Sequence, residues 1–162
     1  SLEKDKVDLK LIELDVHKMI QEVISNFTPL LDEKNGHINT KLMATNCTIN
    51  GDETHFSNII TNLIDNAIKY CEHLPHIMIS TKNKNGNIIV EIQDNGIGLS
   101  PEVSKLIFDR FYRVPTGNVH NVKGFGLGLH YVKIMVEEHG GEISVKSKLK
   151  EGSTFCLKLP NK

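Results

Sequence analysis

The chain has 162 residues, enough for one domain with its own core and too few for two of ordinary size. Nineteen Lys and Arg against twenty Asp and Glu leave a formal charge of -1, which excludes a broadly basic nucleic-acid binder and a polybasic membrane module, though not a local patch. No apolar run exceeds three residues, so neither a membrane-spanning helix nor a secretory signal is expected.

In chain order, Val7 to Leu14 has enough apolar residues for a strand, and Asp15 suits the N-cap of the next helix. That helix carries a 3.6-residue stripe from Val16 to Leu31 and ends at Asn35-Gly36. Residues 37 to 50 alternate well enough for one or two short strands, and Asn50-Gly51-Asp52 reads as a turn ending in a second N-cap. Residues 53 to 71 hold the clearest helical pattern: Phe56, Ile59, Ile60, Leu63, Ile64, Ala67, Ile68 and Cys71. Strands Ile77 to Thr81 and Asn87 to Gln93 follow as a hairpin across Lys84-Asn85-Gly86. Pro101 suits the first turn of a short helix reaching about Ile107, and residues 114 to 123 lack periodicity and read as a loop. A last helix runs from about Leu127 to His139, stopped by Gly140-Gly141, before a hairpin of Glu142 to Ser147 and Thr154 to Leu159. Three substantial helices and five or more strands predict an α/β fold, a two-layer sandwich with a mixed sheet of about five strands covered on one face by the helices.

Cys47, Cys71 and Cys156 lie too far apart for a disulfide framework or the close pairs of a zinc site. A reducing compartment is the simplest reading, and the sequons at Asn26 and Asn46 are then chance matches. The first residue is not Met, which reads as an excised fragment: residues 1–6 a flanking segment or cloning remnant, 7–160 the domain, 161–162 a tail.

Four features carry chemistry. At about 100° per residue, Asn62, Asn66 and Lys69 fall within roughly 60° of one another beside the apolar face of their helix. Any three polar residues on an amphipathic helix are more often a solvated face, so the weight comes from the rest of the chain. Asp94-Asn95-Gly96-Ile97-Gly98 follows a strand of Ile and Val, where an Asp can point into a pocket while glycines admit a close approach. D-N-G is also ordinary turn chemistry, and the calcium ladder of an EF-hand is missing. Gly124-Phe125-Gly126-Leu127-Gly128-Leu129 opens a helix, where free backbone N–H groups make a phosphate cradle. It is neither a Walker loop nor a dinucleotide fingerprint. Between the last two lies Phe108-Asp109-Arg110-Phe111-Tyr112-Arg113, aromatics interleaved with arginines.

The order of these pieces, closed by Gly152-Ser153-Thr154, resembles the ATP-binding catalytic domain of two-component histidine kinases. That family belongs to the superfamily shared with gyrase, the mismatch-repair ATPases and the ninety-kilodalton heat-shock chaperone. Residues 58–70 look like its N box, Asp94 to Gly98 its first glycine box, Phe108 to Arg113 its F box and Gly124 to Leu129 its second glycine box.

The resemblance implies a Bergerat-type fold that binds ATP and Mg²⁺. Asn66, with Asn62 beside it, would hold the metal; amide oxygens suit Mg²⁺, which keeps waters and phosphate oxygens and needs only one or two protein ligands. Lys69 would meet phosphate as a point charge, and Tyr70 would lie near the base or ribose. Asp94 would accept from the adenine amino group, and Gly96 and Gly98 would let the base approach. Arg113, and less directly Arg110, would reach the γ-phosphate. Lys123 and the amides of Gly124, Gly126, Leu127, Gly128 and Leu129 would line the phosphates, and Thr154 would complete the nucleotide site. Phe125 is bulky and Cys71 stands where Ser or Thr is common; neither touches a charge or a metal ligand.

The implied reaction is transfer of the γ-phosphoryl group to a histidine on a separate dimerisation and phosphotransfer domain, with a response regulator downstream. The superfamily's hydrolases open the N box with a Glu that activates water; Asn62 stands there instead, and an amide is no general base at neutral pH. No H-E-L-[RK]-T-P string supplies an acceptor here, and His17, followed by Lys18, reads as a surface residue. A stand-alone ATPase or serine kinase of the superfamily, or a non-catalytic nucleotide-binding module, are the alternatives. The expected setting is cytoplasmic with no membrane contact by these residues, in a full-length protein that many relatives anchor in the bacterial inner membrane.

Overall fold

Along β4 (His76–Lys84), Ile77, Ile79 and Thr81 are buried while His76 and Met78 are exposed, the period-two pattern of a strand with one covered face. The same face continues across the sheet in register. Ile79 lies opposite Ile92 of β5 (Asn87–Gln93), and Ile92 opposite Phe155 of β7 (Gly152–Pro160). Phe155 in turn faces Val145 of β6 (Glu142–Lys148). β2 (His37–Leu42) joins β4 in parallel, with Ile38 against Ile77. The result is a five-stranded mixed sheet ordered β2-β4-β5-β7-β6. The computed structural model of the protein describes residues 7–112 and 128–162.

Helices α1 (Val16–Glu33), α2 (Glu53–Lys69) and α4 (Gly128–Glu138) bring Ile20, Val23, Phe56, Ile60, Leu63, Val132 and Met135 into one core with that sheet face. Burying each such side chain stabilises the fold by about 1.5–3 kcal/mol before conformational entropy is subtracted. The opposite face carries Ser80, Lys82, Glu91 and Lys146 and has no helical cover among the described residues. The expected two-layer sandwich is therefore the observed one, with a short α3 (Pro101–Leu106) capped by Ser100 at the sheet's end.

Three details depart from the sequence reading. The first strand is confined to β1 (Leu11–Asp15), because its partner β3 (Thr48–Asp52) is only five residues long. These two strands form a separate antiparallel pair. Asn50-Gly51-Asp52 is not a turn but the end of β3; Gly51 is needed because a Cβ there would stand 2.8 Å from Leu14 and 3.2 Å from the His139 ring. Residues 161–162 do not trail free: the Asn161 amide donates to the carbonyls of Asn46 and Thr48, and the Lys162 ammonium pairs with Glu13 at 2.8 Å.

Both predicted N-caps hold. Asp15 accepts from the Lys18 N–H at 3.1 Å, and Asp52 accepts from the His55 N–H at 3.0 Å and the Lys10 N–H at 2.9 Å. His139 joins the second cap to α4: its Nε2 accepts from the Asp52 N–H at 3.0 Å while Nδ1–H donates to the Met135 carbonyl at 2.6 Å. The Asp52 carboxyl is held below its ordinary pKa, chiefly by the His55 N–H. A lowered acid stabilises the fold above its unfolded pKa and loses that contribution as pH falls through the folded value. Asp52→Ala is expected to destabilise the domain by about 1–2 kcal/mol, measured by urea unfolding at neutral pH. The difference from the parent should shrink below about pH 4, where the parent's aspartates protonate.

Candidate functional site

A cleft open to solvent lies between the C-terminal half of α2 and the loop after β5. Its lining is Asn66, Tyr70, Asp94, Ile97, Gly98, Leu99, Ile107, Leu129, Ser153 and Phe155. A mainly apolar cleft with one acid in its lining suits a heteroaromatic ring with an exocyclic N–H donor.

Backbone contact between the end of β5 and the start of β7 builds the acid's position. The Asp94 N–H donates to the Ser153 carbonyl at 2.8 Å. Asp94 Oδ1 then accepts from the Gly96 N–H at 2.9 Å and the Ser153 N–H at 3.1 Å. With those two donors on Oδ1, Oδ2 is the oxygen left for a ligand. Burial pushes the Asp94 carboxyl above its ordinary pKa, and the two N–H groups oppose that shift without cancelling it.

The glycines serve this packing more than ligand approach. Gly152 has φ +92°, and a Cβ on it would stand 2.1 Å from the Asp94 carbonyl oxygen; Gly98, at φ +71°, would meet the Lys148 carbonyl at the same distance. Gly96 does not line the cleft: its Cβ position is filled by the Tyr70 carbonyl, 2.7 Å away, which accepts from the Ile97 N–H. Asn95 pins the preceding loop, accepting from the His76 N–H at 2.8 Å and donating to the Leu74 carbonyl at 2.9 Å. The Cys71 thiol donates to Asn95 and to the His73 carbonyl, and it lines no part of the cleft.

On α2, Asn66 reaches the cleft one turn before Tyr70. Asn62 sits one turn earlier still; its Nδ2 donates to the Asn58 carbonyl at 2.7 Å, which turns its oxygen toward the start of α4. A Cβ on Gly128 would lie 3.5 Å from that oxygen. The Lys69 side chain is only 12% exposed, and its ammonium pairs with Asp65 at 3.4 Å rather than facing the cleft. Asp65 was not among the residues the sequence singled out, although its spacing of four from Lys69 is the helical ion-pair signature.

Arg110 is exposed, its guanidinium 4.9 Å from the centre of the Phe111 ring. The F box reaches the core through Phe108, edge-on to Phe155 at 6.2 Å, and its carbonyl accepts from His130 Nδ1 at 3.0 Å. Thr154 occupies the opposite face of β7 from the cleft, since side chains alternate along a strand; Ser153 takes the expected place beside Asp94. Arg113, Lys123, Gly124, Gly126 and Leu127 lie outside the described residues. Ile97, Leu99, Ile107, Ser153 and Phe155 are the lining residues that sequence reasoning missed, and the strand period could have found Ser153.

The oxygens available at the α2 edge are the amides of Asn62 and Asn66, and no group of three or more His, Cys, Asp or Glu able to hold a metal occurs among the described residues. That donor set fits Mg²⁺ held jointly with phosphate and water, and not a dedicated all-protein metal cage.

The family model described as histidine kinase-, DNA gyrase B- and HSP90-like ATPase matches residues 51–162. Sensor protein RprX of Bacteroides fragilis is 44% identical over 160 residues, covering 98% of this chain but only 31% of that protein's length. The nucleotide-free catalytic domain of histidine kinase ThkA superposes with a TM-score of 0.82 at 23% identity, covering 94% of this chain and 97% of that one. Full-length ShkA, solved in complex with AMPPNP, gives a TM-score of 0.84 at 24% identity, over 99% of this chain and 33% of that one. At these identities the two structures establish the fold.

Because the Asp94 carboxyl is raised by burial, its ionisation weakens the nucleotide-free fold. A group with a raised folded pKa stabilises fully below its unfolded value and loses that contribution as pH rises through the folded one. Asp94→Asn removes the ionisation while keeping an acceptor for the two N–H groups. The variant should melt higher than the parent at pH 7 without nucleotide, and the gap should narrow toward pH 3 in a thermal scan.

Proposed function

Since the chain belongs to the histidine kinase-, DNA gyrase B- and HSP90-like ATPase family, we propose that it binds Mg-ATP and passes the γ-phosphoryl group to a histidine on a separate domain of a two-component sensor kinase. The observation that carries this reading is Asp94, its Oδ1 fixed by two backbone donors at the mouth of an apolar slot. Oδ2 accepts from the adenine amino group, and a 6-oxopurine presents a carbonyl at that place instead. Ile97, Leu99, Ile107, Leu129 and Phe155 supply the apolar walls for the base, with Tyr70 at its edge.

The phosphates extend from the base toward Asn66 and the start of α4. Asn66 and Asn62 would hold the Mg²⁺, which would supply positive charge against the phosphates. Lys69 would exchange Asp65 for phosphate, and the family resemblance assigns further phosphate contacts to Arg113, Arg110, Lys123 and the glycine-rich amides through Leu129. In the transfer, the lone-pair nitrogen of the acceptor imidazole forms a P–N bond, the bond between the γ-phosphorus and the bridging oxygen breaks so that ADP departs, and the other ring nitrogen releases its proton to solvent. The chain contributes binding and alignment. Asn62 in place of a general base leaves water unactivated, which favours transfer over hydrolysis.

The acceptor domain and a response regulator are the partners this reading requires. We place the domain on the cytoplasmic side, where ATP and free thiols coexist; Cys47, Cys71 and Cys156 are all unpaired thiols. No helix among the described residues is long and apolar enough to cross a membrane.

Incubation with labelled ATP, Mg²⁺ and the dimerisation domain of the same sensor protein should give acid-labile, base-stable phosphate on that domain. Rapid release of free phosphate with no labelled partner would instead identify an ATPase. Asn66→Ala should abolish the Mg²⁺-dependent gain in ATP affinity seen by calorimetry, and an unaltered Mg²⁺ titration would remove Asn66 from the metal site.

A further inference from the structure

Behind the cleft, and lining no part of it, the hydroxyl of Ser147 on β6 makes three contacts. It accepts from the Leu99 N–H at 2.7 Å, contacts the Gly152 carbonyl at 2.9 Å and lies 2.7 Å from the hydroxyl oxygen of Ser153. A serine hydroxyl has one hydrogen and two lone pairs. The Leu99 amide can only donate and the Gly152 carbonyl can only accept. One proton assignment therefore makes all three contacts hydrogen bonds: Ser147 donates to Gly152 and accepts from both Leu99 and Ser153. The Ser153 hydrogen is thus consumed behind the cleft. Ser153 is 8% exposed and lines the cleft beside Asp94, so its oxygen offers only lone pairs to whatever reaches it.

We infer that Ser147 is a specificity-determining positioning residue, which holds the Ser153 hydroxyl as an acceptor so that the polar end of the cleft presents acceptors only. The inference rests on the reading of the cleft as a purine-nucleotide site and deepens it. Asp94 Oδ2 and Ser153 Oγ together accept the amino group of a 6-aminopurine and a water that donates to its ring nitrogen. A 6-oxopurine brings a carbonyl that needs a donor, and neither of these two protein oxygens supplies one. An unmet polar group at a desolvated site is what gives large discrimination. If Ser147 loses its hydroxyl, the Ser153 O–H is released and can turn to donate to that carbonyl, while the purine N1–H still has Asp94.

The test compares dissociation constants of this chain for ATP and inosine triphosphate by calorimetry, in the parent, Ser147→Ala, Ser147→Thr and the double variant Ser147→Ala with Ser153→Ala. The ratio of the inosine to the adenosine constant should fall about tenfold in Ser147→Ala, the scale of one hydrogen bond. Ser147→Thr, which restores the hydroxyl, should keep the parent ratio. The double variant should return to at least the parent ratio, because the freed donor is gone. A general loosening of the fold would weaken both ligands and leave the ratio unmoved. Should Ser147→Ala not fold, Ser147→Cys carries the same test, its weaker acceptor shifting the ratio the same way by less. An unchanged ratio in a folded variant, or a fall that survives removal of the Ser153 hydroxyl, overturns the assignment. A parent that prefers ATP under either outcome leaves the nucleotide reading standing, whereas a parent that binds neither nucleotide overturns both.

Discussion

The structure turns on a backbone-to-backbone contact between the end of β5 and the start of β7. The Asp94 N–H donates to the Ser153 carbonyl there at 2.8 Å, the Ser153 N–H donates to the Asp94 side-chain Oδ1 at 3.1 Å, and no side chain fits between Gly152 and the Asp94 carbonyl. A buried carboxyl is unfavourable unless its oxygens are met, and here main-chain donors meet one oxygen and leave the other for a ligand. The acid's direction is therefore set by sheet geometry, so it does not depend on a rotamer that ligand binding must first order. The Gly98 contact with Lys148 and the Lys150 N–H bond to the Ile97 carbonyl extend this knot into the floor of the cleft.

Helix α2 supplies the other wall and does two jobs on two faces. Phe56, Ile59, Ile60, Leu63, Ile64, Ala67 and Ile68 bury one face almost completely, which fixes the helix against the sheet. The remaining edge carries Asn62, Asn66 and Lys69, held in place by the rigid side behind them. The two ends are secured differently. Asp52 caps the first turn and is tied through His139 to α4, while the Tyr70 carbonyl at the last turn is bonded by Ile97. The start of α2 is in this way tied to the end of α4, and the end of α2 to the Asp94 loop. The Lys69–Asp65 pair, four residues apart, holds the ammonium on the helix at 3.4 Å.

Much of this was legible in the residues. The apolar stripe of α2, the caps at Asp15 and Asp52 and the Asn85-Gly86 turn, both residues of which have positive φ, follow from local chemistry that a sequence carries directly. Gly96 and Gly51 were read correctly as special positions and given the wrong reason. Each is small because a carbonyl or side chain from a distant segment occupies the space, and the spacing of motifs holds no information about that neighbour. Thr154 was chosen over Ser153 for the same kind of reason: the motif names both, and only the register of β7 against β5 decides which faces the cleft.

The sequence by itself determined the class of the fold, the caps and the helix faces, because periodicity and local hydrogen bonding are properties of neighbouring residues. The tertiary structure alone decided which oxygen of Asp94 the two main-chain donors occupy and that the hydrogen of Ser153 is spent on Ser147. Positions 94, 147 and 153 meet only when three strand ends converge. The polarity of the cleft belongs to that convergence, since a hydroxyl has a single hydrogen and its partners, brought from far along the chain, determine where it points.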